Sequence, residues 1–173
     1  YDDKLKVRPA LATSWKLVDD TTWEFKLRQG VKFHDGTPLT AADIKATLER
    51  NLTPGKTVVQ AGFATIEAVQ IASPTTLRIV TKKPDPMLPV RMAQMGSQIY
   101  PARFASDEGV KELARKPVGS GAYRFVEWIK DDRLVMDANK EWWGWEGKAP
   151  AIARVVWKPI PDAFARLSAL QRN

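Results

Sequence analysis

Few side chains in this sequence are able to do covalent chemistry, and their types exclude most of it. His34 is the sole histidine and there is no cysteine. Catalysis by a Ser/His/Asp or Cys/His arrangement needs a base that titrates near neutral pH, so such a site would have to be built on His34. That residue stands in His34-Asp35-Gly36, a turn sequence, and reads as a turn residue whose ring bonds nearby backbone. A side-chain metal centre would have to add carboxylates to this one imidazole, and neither HExxH nor DxDxDG spacing occurs. No metal and no cofactor is expected. The glycines of Pro117-Val118-Gly119-Ser120-Gly121 lack a following GK[ST], and the run beyond them alternates like a strand, so they make a turn and not a phosphate cradle. Asp2/Asp3 and Asp131/Asp132 sit in turns beside basic residues, and a glycosidase-like dyad would have to be assembled from scattered positions. The chain is expected not to be an enzyme.

The elements around these residues follow from periodicity. SWKLV, the turn Asp19-Asp20-Thr21 and TWEFKL form a hairpin in which Trp23, Phe25 and Leu27 alternate with polar residues. Thr40 precedes Ala41-Ala42-Asp43 as an N-cap, with Asp43 in the first turn and Ala41, Ile44 and Leu48 three and four apart, so a helix runs to about Asn51 and Pro54-Gly55 closes it. IEAVQI, the turn Ala72-Ser73-Pro74-Thr75 and TLRIVTK make a second hairpin. Lys83-Pro84-Asp85-Pro86 is a breaker, MLPVRMAQM a short helix, SQIY a brief strand, and Pro101–Phe104 and Glu108–Lys116 small surface helices. AYRFVEWI and RLVMDAN form a third hairpin about Lys130-Asp131-Asp132. A loop holding Trp142, Trp143 and Trp145, a strand ARVVWKPI and a helix DAFARLSALQ capped by Asp162 complete the chain, the last with an apolar stripe of Ala163, Phe164, Leu167 and Leu170. The fold class is α+β: a mixed, hairpin-rich sheet with flanking helices.

Bulk composition narrows the partners. At 173 residues, 44% hydrophobic and 27% charged, the chain suits an ordinary domain with a real core. Charges interrupt every apolar run, so no membrane span is expected. The net charge of +7 arises from 27 basic residues interleaved with 20 acids along the whole chain, a mixed solvated surface and not a nucleic-acid footprint. The opening YDDKLKVRPALATSW has no basic segment leading into an apolar stretch, and both ends read as those of a mature or trimmed segment. The lack of cysteine leaves the compartment open.

Three phrases, in order, carry a resemblance: LATSWKLVDDTTWEFKLRQGVKFHDGTPLTAADIKATLER, KPVGSGAYRFVEW, and the stretch from NKEWWG through KPIPDAFARLSALQ. Together, from about Leu11 to Leu170, they resemble the family-5 extracellular solute-binding proteins of ABC transporters, the peptide- and nickel-binding type. The resemblance implies a longer, two-lobed periplasmic binding protein-like fold that closes on its ligand. This chain would be most of lobe one, with residues 40–116 as an inserted subdomain, 1–39 and 117–173 as the main sheet subdomain, and the second lobe absent. It further implies a periplasmic or extracellular location and two partners, a solute, foremost a peptide, and a membrane permease.

Within that frame Trp15, Trp23, Phe25 and Phe33 read as core, and Gly119, Gly121 and Tyr123 as a passage between subdomains. The ligand-binding candidates are Met95, Gly96, Ser97, Gln98 and Tyr100, because the corresponding stretch of similar proteins tends to face the cleft. Their types suit a tolerant pocket: Met deforms, Gly admits backbone, and Gln and Tyr offer adaptable hydrogen bonds. A packed, ligand-free strand is the competing reading of the same residues. Two other functions stay open: a stand-alone truncated lobe that binds only protein partners, and oligosaccharide capture by Trp142, Trp143 and Trp145, which otherwise pin a loop.

Overall fold

Alternation in residues 12–27 becomes a hairpin of β1 (Ala12–Asp19) and β2 (Thr22–Leu27) in the computed structural model, which describes residues 1–94 and 96–172. Asp19 closes its turn by accepting the Thr21 N–H at 2.9 Å, the local bond that favours Asp in turns. β3 (Ile66–Ser73) and β4 (Thr76–Thr81) form the second hairpin. β4 also pairs with β2, giving one antiparallel sheet in the order β1-β2-β4-β3. The register sets Phe25 beside Leu77 and Trp23 beside Ile79 beside Val69. One face of the sheet is therefore an apolar surface that needs a cover.

α1 (Ala41–Leu52) supplies that cover with Ala41, Ile44 and Leu48, joined in one cluster by Phe63 of α2 (Gln60–Phe63) and Leu88 of α3 (Leu88–Arg91). The helix starts where its sequence says: the Asp43 carboxylate accepts the Thr40 N–H at 2.8 Å and the Thr40 hydroxyl at 2.7 Å, closing one side of a capping box. Its other oxygen accepts the Ala102 N–H at 2.7 Å, so the capping residue also ties down a distant turn. That turn, the 3-10 segment Ala102–Phe104, buries Phe104 and leaves Arg103 exposed. α4 (Asp107–Arg115) follows, its first turn closed by the Ser106 hydroxyl accepting from the Gly109 N–H at 3.0 Å. Phe25 and Phe33 are buried as expected, with Trp15 and Trp23 packed partly buried against the cluster.

Contacts divide the chain into two units, Tyr1–Ser120 and Gly121–Asn173. The second holds an antiparallel sheet in the order β5-β6-β7, made of β5 (Tyr123–Ile129), β6 (Arg133–Ala138) and β7 (Arg154–Trp157), and α5 (Ala163–Gln171). Asp162 caps α5 by accepting the Ala165 N–H at 2.7 Å. The stripe of α5 is not a buried one: Phe164, Leu167 and Leu170 are exposed.

β1 and β2 share one sheet and one core with β3 and β4. Pairing of β2 with β4 is a non-local hydrogen-bond choice that local periodicity does not encode. Ser97–Tyr100 form no strand. Short alternating apolar residues become a strand only where a partner strand is free to pair.

Candidate functional site

The candidate segment is built on the ends of α1 and α2. Gly96 adopts φ +100°, a conformation that glycine takes without steric cost. A Cβ there would meet Phe63 Cε2 at 2.8 Å and Val59 Cγ2 at 2.9 Å. The Gly96 carbonyl accepts the Asn51 side-chain N–H at 2.6 Å, and its N–H donates to Gln98 Oε1 at 2.8 Å. Gly96 is thus a packing residue of a pinned turn. Ser97 donates its hydroxyl to the Arg91 carbonyl at 3.5 Å and its N–H to the Gln94 carbonyl at 3.4 Å. Gln98 is exposed, and its amide nitrogen makes no hydrogen bond among the described residues. Tyr100 is half-buried; burial pushes its phenol up, against the opposing pull of the Arg50 guanidinium. The structure gathers Gly96, Ser97 and Gln98 on one turn and sets Tyr100 beside α1. Met95 lies outside the described residues. These groups offer donors and acceptors of hydrogen bonds and no acid–base pair poised near neutral pH.

The support beneath this turn includes a residue that the sequence reading passed over. Asp85 is buried at 7% exposure. Its carboxylate accepts from the Thr65 hydroxyl at 2.6 Å and the Met87 N–H at 3.1 Å, and it pairs with the Arg91 guanidinium. Arg91 also donates to the Thr65 hydroxyl at 3.2 Å, and the Trp23 indole donates to the Asp85 carbonyl at 3.0 Å. A buried carboxylate is tolerable only with such partners. The available signal was Asp85 itself, an acid between two prolines with an arginine six residues on.

His34 has a scaffolding part. Its N–H donates to the Gly119 carbonyl at 2.8 Å, and its Nδ1 accepts the Gly119 N–H at 3.3 Å, joining two turns 85 residues apart. Beside it, burial alone raises the Asp35 carboxyl, but the Thr37 hydroxyl and N–H and the Arg103 guanidinium outweigh burial and hold it at about 2. No group of three or more His, Asp or Glu among the described residues is arranged to hold a metal ion, and no described helix is long and apolar enough to cross a membrane.

The tryptophans of the second unit pack on each other. Trp142 meets Trp145 edge-on at 5.0 Å between centroids and Trp143 at 5.1 Å, while Trp145 meets Tyr123 of β5 edge-on at 6.2 Å. The Trp145 indole donates to the Asn139 carbonyl at 2.8 Å. A side chain at Gly144 would lie 2.2 Å from the Trp142 ring. Rings spent on one another in this way hold a loop to β5, and a sugar-stacking platform needs open faces.

The sequence pattern of the bacterial extracellular solute-binding proteins, family 5 middle, matches residues 6–173. The chain belongs to this family. It is 31% identical over 174 residues to the glutathione-binding protein GsiB of Shigella boydii, covering 98% of this chain and 33% of that protein. Among solved structures, this family-5 chain is similar to the oligopeptide-binding protein AppA of Bacillus subtilis in complex with a nonapeptide, with TM-score 0.85 and 29% identity over 99% of this chain and 35% of AppA. It is likewise similar to NikZ of Campylobacter jejuni in complex with Ni(L-His), with TM-score 0.84 and 26% identity over 95% of this chain and 33% of NikZ. The chain spans about a third of the length of the curated relatives it matches. The resemblance carried by the three phrases is thereby established, and so is the mixed fold of helices and antiparallel sheets.

Proposed function

We propose that this chain is part of a protein that captures a peptide reversibly and delivers it to an ABC-type import permease, outside the cytoplasmic membrane. The observation that carries the proposal is the family match across residues 6–173. Relatives described as binding glutathione and a nonapeptide favour a peptide over other solutes. The contacts assigned to the ligand are Met95, Gly96, Ser97, Gln98 and Tyr100. Of these, Gln98 combines exposure with an unused amide donor, and Gly96 also shapes the turn that presents its neighbours. Capture needs hydrogen bonds and closure, not bond cleavage, and these side chains supply only the former.

Magnitudes limit what one lobe retains. A micromolar solute corresponds to about −8 kcal/mol, and an even split between two lobes leaves about −4 kcal/mol, a dissociation constant on the order of 1 mM. Calorimetric titration of the chain with glutathione and a tetrapeptide should therefore show binding in that weak range, weakened further by Gln98→Ala. Cleavage of either peptide by the chain, or binding indifferent to Gln98→Ala, would count against this assignment.

A further inference from the structure

α2 separates two environments. Val59 and Phe63 pack on Gly96, whereas Gln60, Ala61 and Ala64 border an open depression of about 510 Å³ that Leu52, Ile66, Glu67 and Lys82 complete. The volume lies within the range of small-molecule sites. Leu52, Ala61 and Ala64 give it apolar walls over the buried Ile66. Glu67 and Lys82 are both exposed, and neither belongs to an ion pair among the described residues. Lys82 is held in position by donating to the Ala64 carbonyl at 3.0 Å, which uses one of its three N–H donors. Gln60 donates its amide to the Leu52 carbonyl at 3.0 Å, leaving its oxygen as an acceptor. The depression thus pairs an apolar wall with one cation, one anion and one neutral acceptor.

We propose that this depression is a second ligand site, taking a small zwitterion with an apolar side chain, of neutral-amino-acid to dipeptide size. Lys82 receives the carboxylate, Glu67 and the Gln60 oxygen receive the ammonium, and the side chain lies against Leu52, Ala61 and Ala64. Charge complementarity at both ends selects the zwitterion over a fatty acid or an amine, each of which leaves one charged group unanswered. The site uses neither the 96–100 turn nor a second lobe, and so stands apart from the capture proposed above.

Backbone amide NMR of the 173-residue chain titrated with L-leucine tests it. Saturable shifts should concentrate at residues 60–67 and Lys82, with a dissociation constant on the order of 1 to 10 mM. Lys82→Gln and Glu67→Gln should each weaken L-leucine about tenfold, the scale of one charge-assisted bond lost at a wet surface. 4-Methylpentanoate, which lacks the ammonium, should bind the native chain more weakly than L-leucine, and Glu67→Gln should abolish that preference. Both residues are exposed, and the same spectra report whether each variant is folded. No saturable shift up to about 50 mM, or shifts that both substitutions leave unchanged, would overturn the proposal. Peptide binding read at Gln98 should be unaffected by either substitution, so failure of one site is distinguishable from failure of the other.

Discussion

Asp35 shows how much a single side chain does in the turn that once stood out for its histidine. Thr37 donates to it twice, at 2.9 and 2.6 Å, and Arg103 pairs with it from 68 residues away. Its carboxyl falls from 3.8 to about 2, so the folded state favours the ionised form. That stability is fully present above the ordinary carboxylate value and is lost as pH falls through about 2. Urea melts taken between pH 5 and pH 2 should show the native chain losing stability across this window, and Asp35→Asn should flatten that part of the profile while lowering stability at pH 5. A second residue-scale expectation concerns Gly96. Alanine there faces both a positive φ and a 2.8 Å approach to Phe63, and should cost roughly 1 to 3 kcal/mol in chemical denaturation. A neutral outcome would mean that Phe63 and Val59 yield easily, and that the turn is not held by packing.

At the scale of elements, α1 is where sequence and packing agree most closely. Thr40 and Asp43 cap it, and Ala41, Ile44 and Leu48 meet the β2-β4-β3 face. Leu48 is 2% exposed within that cluster, so Leu48→Ala should destabilise the chain by about 2 to 5 kcal/mol, measured by urea melts. These elements were legible because a period of 3.6 or 2, bounded by cap and turn residues, is a local signal. The three hairpins were legible for the same reason, including the turn about Lys130-Asp131-Asp132 that joins β5 to β6. What escaped was non-local. Pairing of β2 with β4, the bond from Thr65 to Asp85 beneath the candidate turn, and the link from His34 to Gly119 join residues 20 or more positions apart in sequence. SQIY had strand-like residues but no strand to pair with, and the close packing of its neighbour Gly96 on Phe63 and Val59 is likewise set by residues more than 30 positions away.

At the scale of the molecule, the interleaved charges remain a mixed surface, with Lys16, Lys26 and Arg78 gathered about Glu24 on the polar side of the first sheet. In the second unit Trp128 and Trp157 flank Leu134 in register, and both tryptophans are more than 60% exposed. Exposed aromatic rows of this kind, together with the bare stripe of α5, favour association of the isolated chain. The chain also spans about a third of its curated relatives, and a shared solute would leave it only part of the binding free energy. The most direct measurement is native mass spectrometry of the 173-residue chain, purified gently and then incubated with a mixed pool of short peptides. The account predicts peptide adducts that appear only at millimolar concentration, carry the intact mass of the added peptide, and diminish on Gln98→Ala. Peptides returned as hydrolysis fragments, or a chain that takes up no peptide while retaining a non-peptide solute, would contradict it.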